Sequence, residues 1–152
     1  MHRVRYPEGE KMVNELIAYC GLYCGACSFK VAFETQDREH INKMPSYYDS
    51  CKKDDFFNCH GCRFESCSSD CKIRNCAIDN RIDWCSQCSK YPCELINNFS
   101  CDGKPHHEEI KKNLELLEKI GEKEWIEEMK KHWECVNCGK KKSWYYRKCD
   151  CE

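Results

Sequence analysis

The sequence predicts a small metal-stapled, loop-rich α+β fold: mostly short helices around Cys-knuckle zinc sites, plus a C-terminal helix pair and a zinc-ribbon β-hairpin. Three observations carry that expectation. The 152 residues include 17 cysteines. Four separate C-x2-C pairs stand among them: Cys24 with Cys27, Cys59 with Cys62, Cys85 with Cys88, and Cys135 with Cys138. Two thiolates at that spacing on a tight turn can point at one ion, and two such pairs make a tetrahedral four-thiolate site. The third observation is a thin apolar core. The hydrophobic share of 41% counts the cysteines, and without them about 30% remains, low for a self-sufficient core. With mean hydropathy at −0.84 and 34% charged residues, apolar burial needs help from disulfides or metals.

Cysteine at this density also fits a disulfide scaffold in a secreted protein. However, the opening MHRVRYPEGEKMVNELIAYC holds no apolar signal-peptide core, and no run approaches membrane-spanning length. The expectation is a cytoplasmic protein with no membrane association, in a reducing compartment where metals replace disulfides.

Residues 1–101 are expected to form a cysteine-rich zinc-binding domain, 102–133 a helical segment packed on it, and 134–152 a zinc-ribbon-like unit. Met12 to Tyr19 would enter the first knuckle as a helical turn or strand. A helix is predicted from about Ser28 to Asn42, with Pro45 stopping it or following its end. The middle reads as short loops, with one helical turn after Pro92-Cys93. Asp102 or Gly103 can cap the next element, and Pro105 suits its first turn. Ile110, Leu114 and Leu117 recur at i, i+4, i+7 on one helix face. Glu108 with Lys112 and Glu115 with Lys119 are ion pairs in the favoured order. Gly121 breaks the run, and a second helix from about Glu122 to Trp133 carries Trp125, Met129 and Trp133. This apolar stripe is read as core laid on the metal-rich middle.

The terminal CVNCGKKKSWYYRKCDC places Cys135, Cys138, Cys149 and Cys151 within 17 residues. It resembles a zinc ribbon, with Ser143 to Tyr146 of strand-favouring composition. Lys140, Lys141 and Lys142 beside Trp144, Tyr145 and Tyr146 also have the look of a nucleic-acid surface. Charge argues against that. Formal net charge is −1, and four four-thiolate zinc centres would take it to about −9. A strongly acidic chain lacks the general attraction that drives nucleic-acid binding. A protein partner is the leading expectation and nucleic acid the lesser one.

The opening CGLYCGAC has the C-x3-C-x2-C spacing of radical-SAM clusters, but the chain is too short for a barrel and lacks its strand–helix alternation. No other catalytic set is legible. His106-His107 reads as a solvated first turn, Asp54-Asp55 as a turn, and no glycine-rich phosphate loop appears. An enzyme would have to use a zinc-bound thiolate or a spare reactive thiol, such as Cys51 before Lys52 and Lys53, or Cys101.

CGLYCGAC, then C-x2-C, then CKIRNCA, then C-x2-C followed by YPCELI, in that order, resembles the uncharacterised cysteine-rich family catalogued as domain of unknown function 3795. The likeness runs from about Ala18 to Ile96. It implies zinc binding and brings no established reaction. Carried over by position, the family's cysteines fall on Cys20, Cys24, Cys27, Cys59, Cys62, Cys67, Cys71, Cys76, Cys85, Cys88 and Cys93. Three four-thiolate sites need one more ligand, and Cys51, Cys101 or His60 is the candidate; two sites with spare thiols fit the list equally. With Cys135, Cys138, Cys149 and Cys151, the set is expected to hold three to four zinc ions. An iron–sulfur cluster is the alternative, although the compact ferredoxin spacing is absent. The function expected is a multi-zinc structural or binding module, since closed four-thiolate sites have no open position for chemistry.

Overall fold

Short helices joined by cysteine-bearing turns make up residues 14–52, 59–64 and 70–152, which the computed structural model describes. The α-helices are α1 (Ser28–Thr35), α2 (Glu39–Asn42), α3 (Lys72–Asp79), α4 (Glu94–Ser100), α5 (Pro105–Glu108), α6 (Ile110–Ile120) and α7 (Glu122–Trp133). Single 3-10 turns lie at Cys24–Ala26, Ser46–Cys51 and Cys85–Gln87.

The expected α+β class is overturned: among the described residues there is no strand, only isolated bridges such as Glu134 with Lys141 and Ser143 with Tyr146. The zinc-ribbon β-hairpin is therefore absent as well. The aromatic run explains why. Ser143 and Tyr146 bond to each other across a two-residue turn, and the Trp144 N–H leaves the segment to reach the Ala26 carbonyl at 2.9 Å. Trp144 stacks on His106, Tyr145 meets Tyr48, and Tyr146 meets His40. A strand would alternate these rings between two faces; three separate anchors hold the segment as a turn.

The single helix expected over 28–42 is two. Gln36 caps α1 in the left-handed region at φ 55°, and the Asp37 carboxylate accepts the Glu39 N–H to begin α2. The middle holds more helix than its cysteine density suggested, since α3 occupies KIRNCAID and α4 runs for seven residues.

After Gly103 the periodicity holds from Ile110 on, with Gly121 between α6 and α7, but the first helix is split at Glu109 into α5 and α6, and its N-cap is Lys104, not Asp102 or Gly103. Ile110, Leu114 and Leu117 are at most 1% exposed, and Trp125, Met129 and Trp133 are buried beside them. What they cover is the loop Ile17 to Cys27, also buried. Tyr23 meets the Trp125 ring edge-on at 5.9 Å, and Asn113 donates to the Gly21 carbonyl at 3.0 Å. Gly21 is required here: at φ +90°, an added Cβ would stand 2.7 Å from Leu114 Cγ and 2.9 Å from the Ile110 carbonyl oxygen.

A fully buried arginine ties the cysteine-rich half together. Arg63 Nε donates to the Ile17 carbonyl at 2.6 Å, and its Nη2 donates to the Asp83 carbonyl. Its guanidinium lies 4.1 Å over the Tyr19 ring. No helix among the described residues is long and apolar enough to cross a membrane.

Candidate metal centre

Four thiols converge after the end of α7. Cys135 follows the extended residue Glu134, and its backbone turns sharply, with Gly139 N–H bonding the Cys135 carbonyl at 2.8 Å. Cys138 closes that turn, and the chain returns from Arg147 to bring up Cys149 and Cys151. The sulfur separations are 3.3 Å for Cys135 to Cys151, and 3.4 Å each for Cys138 to Cys149, Cys138 to Cys151 and Cys149 to Cys151. These are too long for a disulfide at about 2.05 Å, and the described cysteines are free thiols. They approach the edge of a tetrathiolate zinc site, about 3.8 Å for bonds of about 2.3 Å.

The donor chemistry fits a cation. The Cys135 thiol is pulled down to about 7 by hydrogen bonds from the Cys138 and Asn137 backbone N–H groups. The Cys151 thiol is pushed up by its bonds to Cys135, Cys138 and Cys149. Thiols this close compete for protons, and a divalent ion binds such a set by displacing them. Cys135 and Cys149 are buried and Cys138 and Cys151 exposed, so the site lies at the surface edge.

The family-assigned cysteines are spread through the other half. Cys27, Cys71 and Cys93 are the N-caps of α1, α3 and α4, positions where the helix dipole favours a thiolate. The Cys71 sulfur accepts the Arg74 N–H at 3.5 Å. Cys24 is held below the usual thiol range mainly by its bond with the Cys62 side chain, and the Cys62 N–H reaches its sulfur at 3.5 Å. Cys59 and Lys30 act on the same thiol. Burial pushes the Cys20 thiol up and raises Cys85 to about 12. Cys76, Cys85, Cys88 and Cys93 line one small cavity of about 30 Å³ between α3 and α4. Among the described residues, only Cys135, Cys138, Cys149 and Cys151 bring three or more ligand atoms within 4.8 Å of one another. Cys67 lies outside the described residues.

None of the candidates for a further ligand joins a convergent group of ligand atoms among the described residues. Cys51 ends its 3-10 turn beside Ser50, and Cys101 is exposed next to Ser100. The His60 ring packs against Phe33 and Phe64.

The histidine pair departs most from the sequence reading. His106 and His107 are 1% and 7% exposed, not a solvated turn. The His106 ring stacks on Trp144 at 3.8 Å, and the His107 ring stacks on Phe99 at 3.7 Å. His107 Nδ1 bonds the Asp102 carboxylate at 2.7 Å. The signal was present: His106 extends the Ile110–Leu114 stripe back by one four-residue step. Most of the basic run is paired within the fold, with Lys148 left exposed. Lys140 pairs with Asp37, Lys141 with Glu34, Lys142 with Glu152, and Arg147 with Glu109.

A cysteine-rich helical protein with a four-thiol cluster able to hold a metal ion is the class that this fold and site define. The chain belongs to the family described as "Protein of unknown function (DUF3795)", whose sequence profile matches residues 16–98, just over half its length. No curated protein and no solved structure matches it. The terminal quartet lies outside the matched residues.

Proposed function

We propose that this protein is a multi-zinc structural module, in which metal ions staple short helices and the exposed surface recognises a protein partner. The observation that carries the reading is the Cys135, Cys138, Cys149 and Cys151 quartet, whose ligand atoms all lie within 4.8 Å. Sulfurs that close surround a single ion. An iron–sulfur cluster puts several irons and sulfides between its cysteines and needs them wider apart. Cys76, Cys85, Cys88 and Cys93 line one small cavity between α3 and α4, and a further ion there would need their thiols to draw closer than they stand. The internal pairing of Lys140, Lys141, Lys142 and Arg147 supports a protein partner over nucleic acid.

The test is metal content and the visible spectrum of protein purified without oxygen. Three to four zinc per chain without colour is expected, and the C135S/C138S variant should lose one zinc and keep the others. Iron with a broad visible band, or unchanged zinc in the variant, would sink the reading.

A further inference from the structure

A cleft of about 590 Å³ opens between α1, α3, α4 and α5, apart from the terminal quartet. That volume suits a small organic molecule. Its walls are rich in rings: Phe29, Tyr48, Phe99, Trp144 and the two histidines all line it. The two stacks, His106 on Trp144 at an interplanar angle of 7° and His107 on Phe99 at 23°, hold these rings in place.

The polar groups are few and arranged. Asp102 Oδ1 accepts the Lys104 N–H at 3.1 Å, which fixes the carboxylate on its loop. Its Oδ2 faces His107 Nδ1 at 2.7 Å. A carboxylate only accepts, so the His107 proton sits on Nδ1 and the lone pair is left on Nε2. Burial also holds both rings below the ordinary histidine value, with Asp102 opposing that for His107. The cleft therefore offers a neutral imidazole as a hydrogen-bond acceptor. A second observation points to a ligand: His106, on the same wall, has a buried Nδ1 with no hydrogen-bond partner. Buried polar atoms without partners are uncommon and call for an explanation such as a missing ligand or water. Lys72, Arg74 and Lys104 stand on the cleft with Asp70, Asp102 and the thiols of Cys27, Cys62 and Cys71.

We propose that this cleft binds a small planar aromatic molecule bearing a weakly acidic O–H or N–H, which donates to His107 while its ring lies against the aromatic wall. Asp102 is the positioning residue that fixes the histidine tautomer. This inference goes beyond the zinc-module reading and stands without it.

The experiment uses the full, metal-loaded chain and two probes, 4-nitrophenol and its methyl ether 4-nitroanisole. Both have the same ring and nitro group, and only the phenol has an acidic hydrogen. Titration calorimetry is expected to show saturable one-to-one binding of 4-nitrophenol, at least tenfold tighter than the ether. Near neutral pH, where the free probe is partly ionised, its absorption should move toward the neutral-phenol band on binding, and D102N should abolish both the preference and the shift. Comparable affinity for the two probes, or no saturable binding of 4-nitrophenol, overturns the proposal. Because the first comparison is made on the unaltered protein, it holds even if D102N fails to fold. Metal content plays no part in either readout.

Discussion

Replacing Gly21 with alanine tests how the first cysteine loop is seated. Gly21 lies between Cys20 and Cys24, and its φ of +90° alone costs an L-residue about 1–2 kcal/mol. The added Cβ also meets Leu114 Cγ at 2.7 Å and the Ile110 carbonyl oxygen at 2.9 Å. Leu114 can rotate, but the carbonyl belongs to the α6 backbone. Overpacking of this kind adds about 1–3 kcal/mol. The sum is about 2–5 kcal/mol, or a fall in Tm of about 4–20 °C for a chain of this size. The matched control is Gly103→Ala. Gly103 has φ +86° but nothing within 4 Å of its added Cβ, so it carries the backbone cost only, about 1–2 kcal/mol. Thermal unfolding of both metal-loaded variants, followed by circular dichroism, gives the packing cost as their difference. Equal Tm values would mean that the loop does not rest on α6, and the account of the core would be wrong.

Arg63→Ala should cost several kcal/mol in urea unfolding, because it strips the Ile17 and Asp83 carbonyls of a donor at about 1–3 kcal/mol each; a loss under about 1 kcal/mol would place Arg63 outside the core. Burial, reinforced by His107, Lys104 and Arg147, holds His106 down at about 3 against an ordinary 6.5. The unfolded chain therefore takes up that proton first, and stability present above 6.5 is lost as pH falls toward 3. The loss is about 1 kcal/mol between pH 6.5 and 5.5, and His106→Phe should remove that part of the slope in chemical unfolding at the two pH values. Chelation of the terminal centre, or Cys149→Ser, should free residues 134–152 and lift Trp144 from His106. A red shift in tryptophan emission should then precede any loss of helical circular dichroism, and a simultaneous loss would mean that the segment has no separate hold.

Periodicity made α6 and α7 legible, because Ile110, Leu114, Leu117, Trp125, Met129 and Trp133 answer to one rule: a helix buries one stripe. The same rule extends to His106, yet residue type outweighed position and the histidines were read as solvated. Ser143 to Tyr146 misled in the opposite way. Its composition favours a strand, but β-propensity measures fit to a half-buried pleated surface, and these rings found helices and histidines instead. Helix α3 was hidden because its N-cap is Cys71, where a serine or aspartate would have announced it. The convergence of Cys135, Cys138, Cys149 and Cys151 was readable because the turn that joins them is local. The grouping of Cys76 with Cys85, Cys88 and Cys93 depends on how α3 meets α4, which spacing alone does not carry.

The cleft divides along the same line as the sequence. Cys27, Phe29, Tyr48 and Ile73 come from within the family-matched residues 16–98 and give it mostly an apolar wall. Asp102, Lys104, His106, His107 and Trp144 come from beyond residue 98 and supply its histidines and a stacking face. Trp144 itself hangs on two supports, the Ala26 carbonyl in the first cysteine turn and the segment that the terminal thiols gather. A metal ion held at the quartet would therefore do more than staple a surface turn: by fixing residues 134–152 it would set the ring against which His106 is stacked. Stability of that segment and shape of the cleft would then be one property.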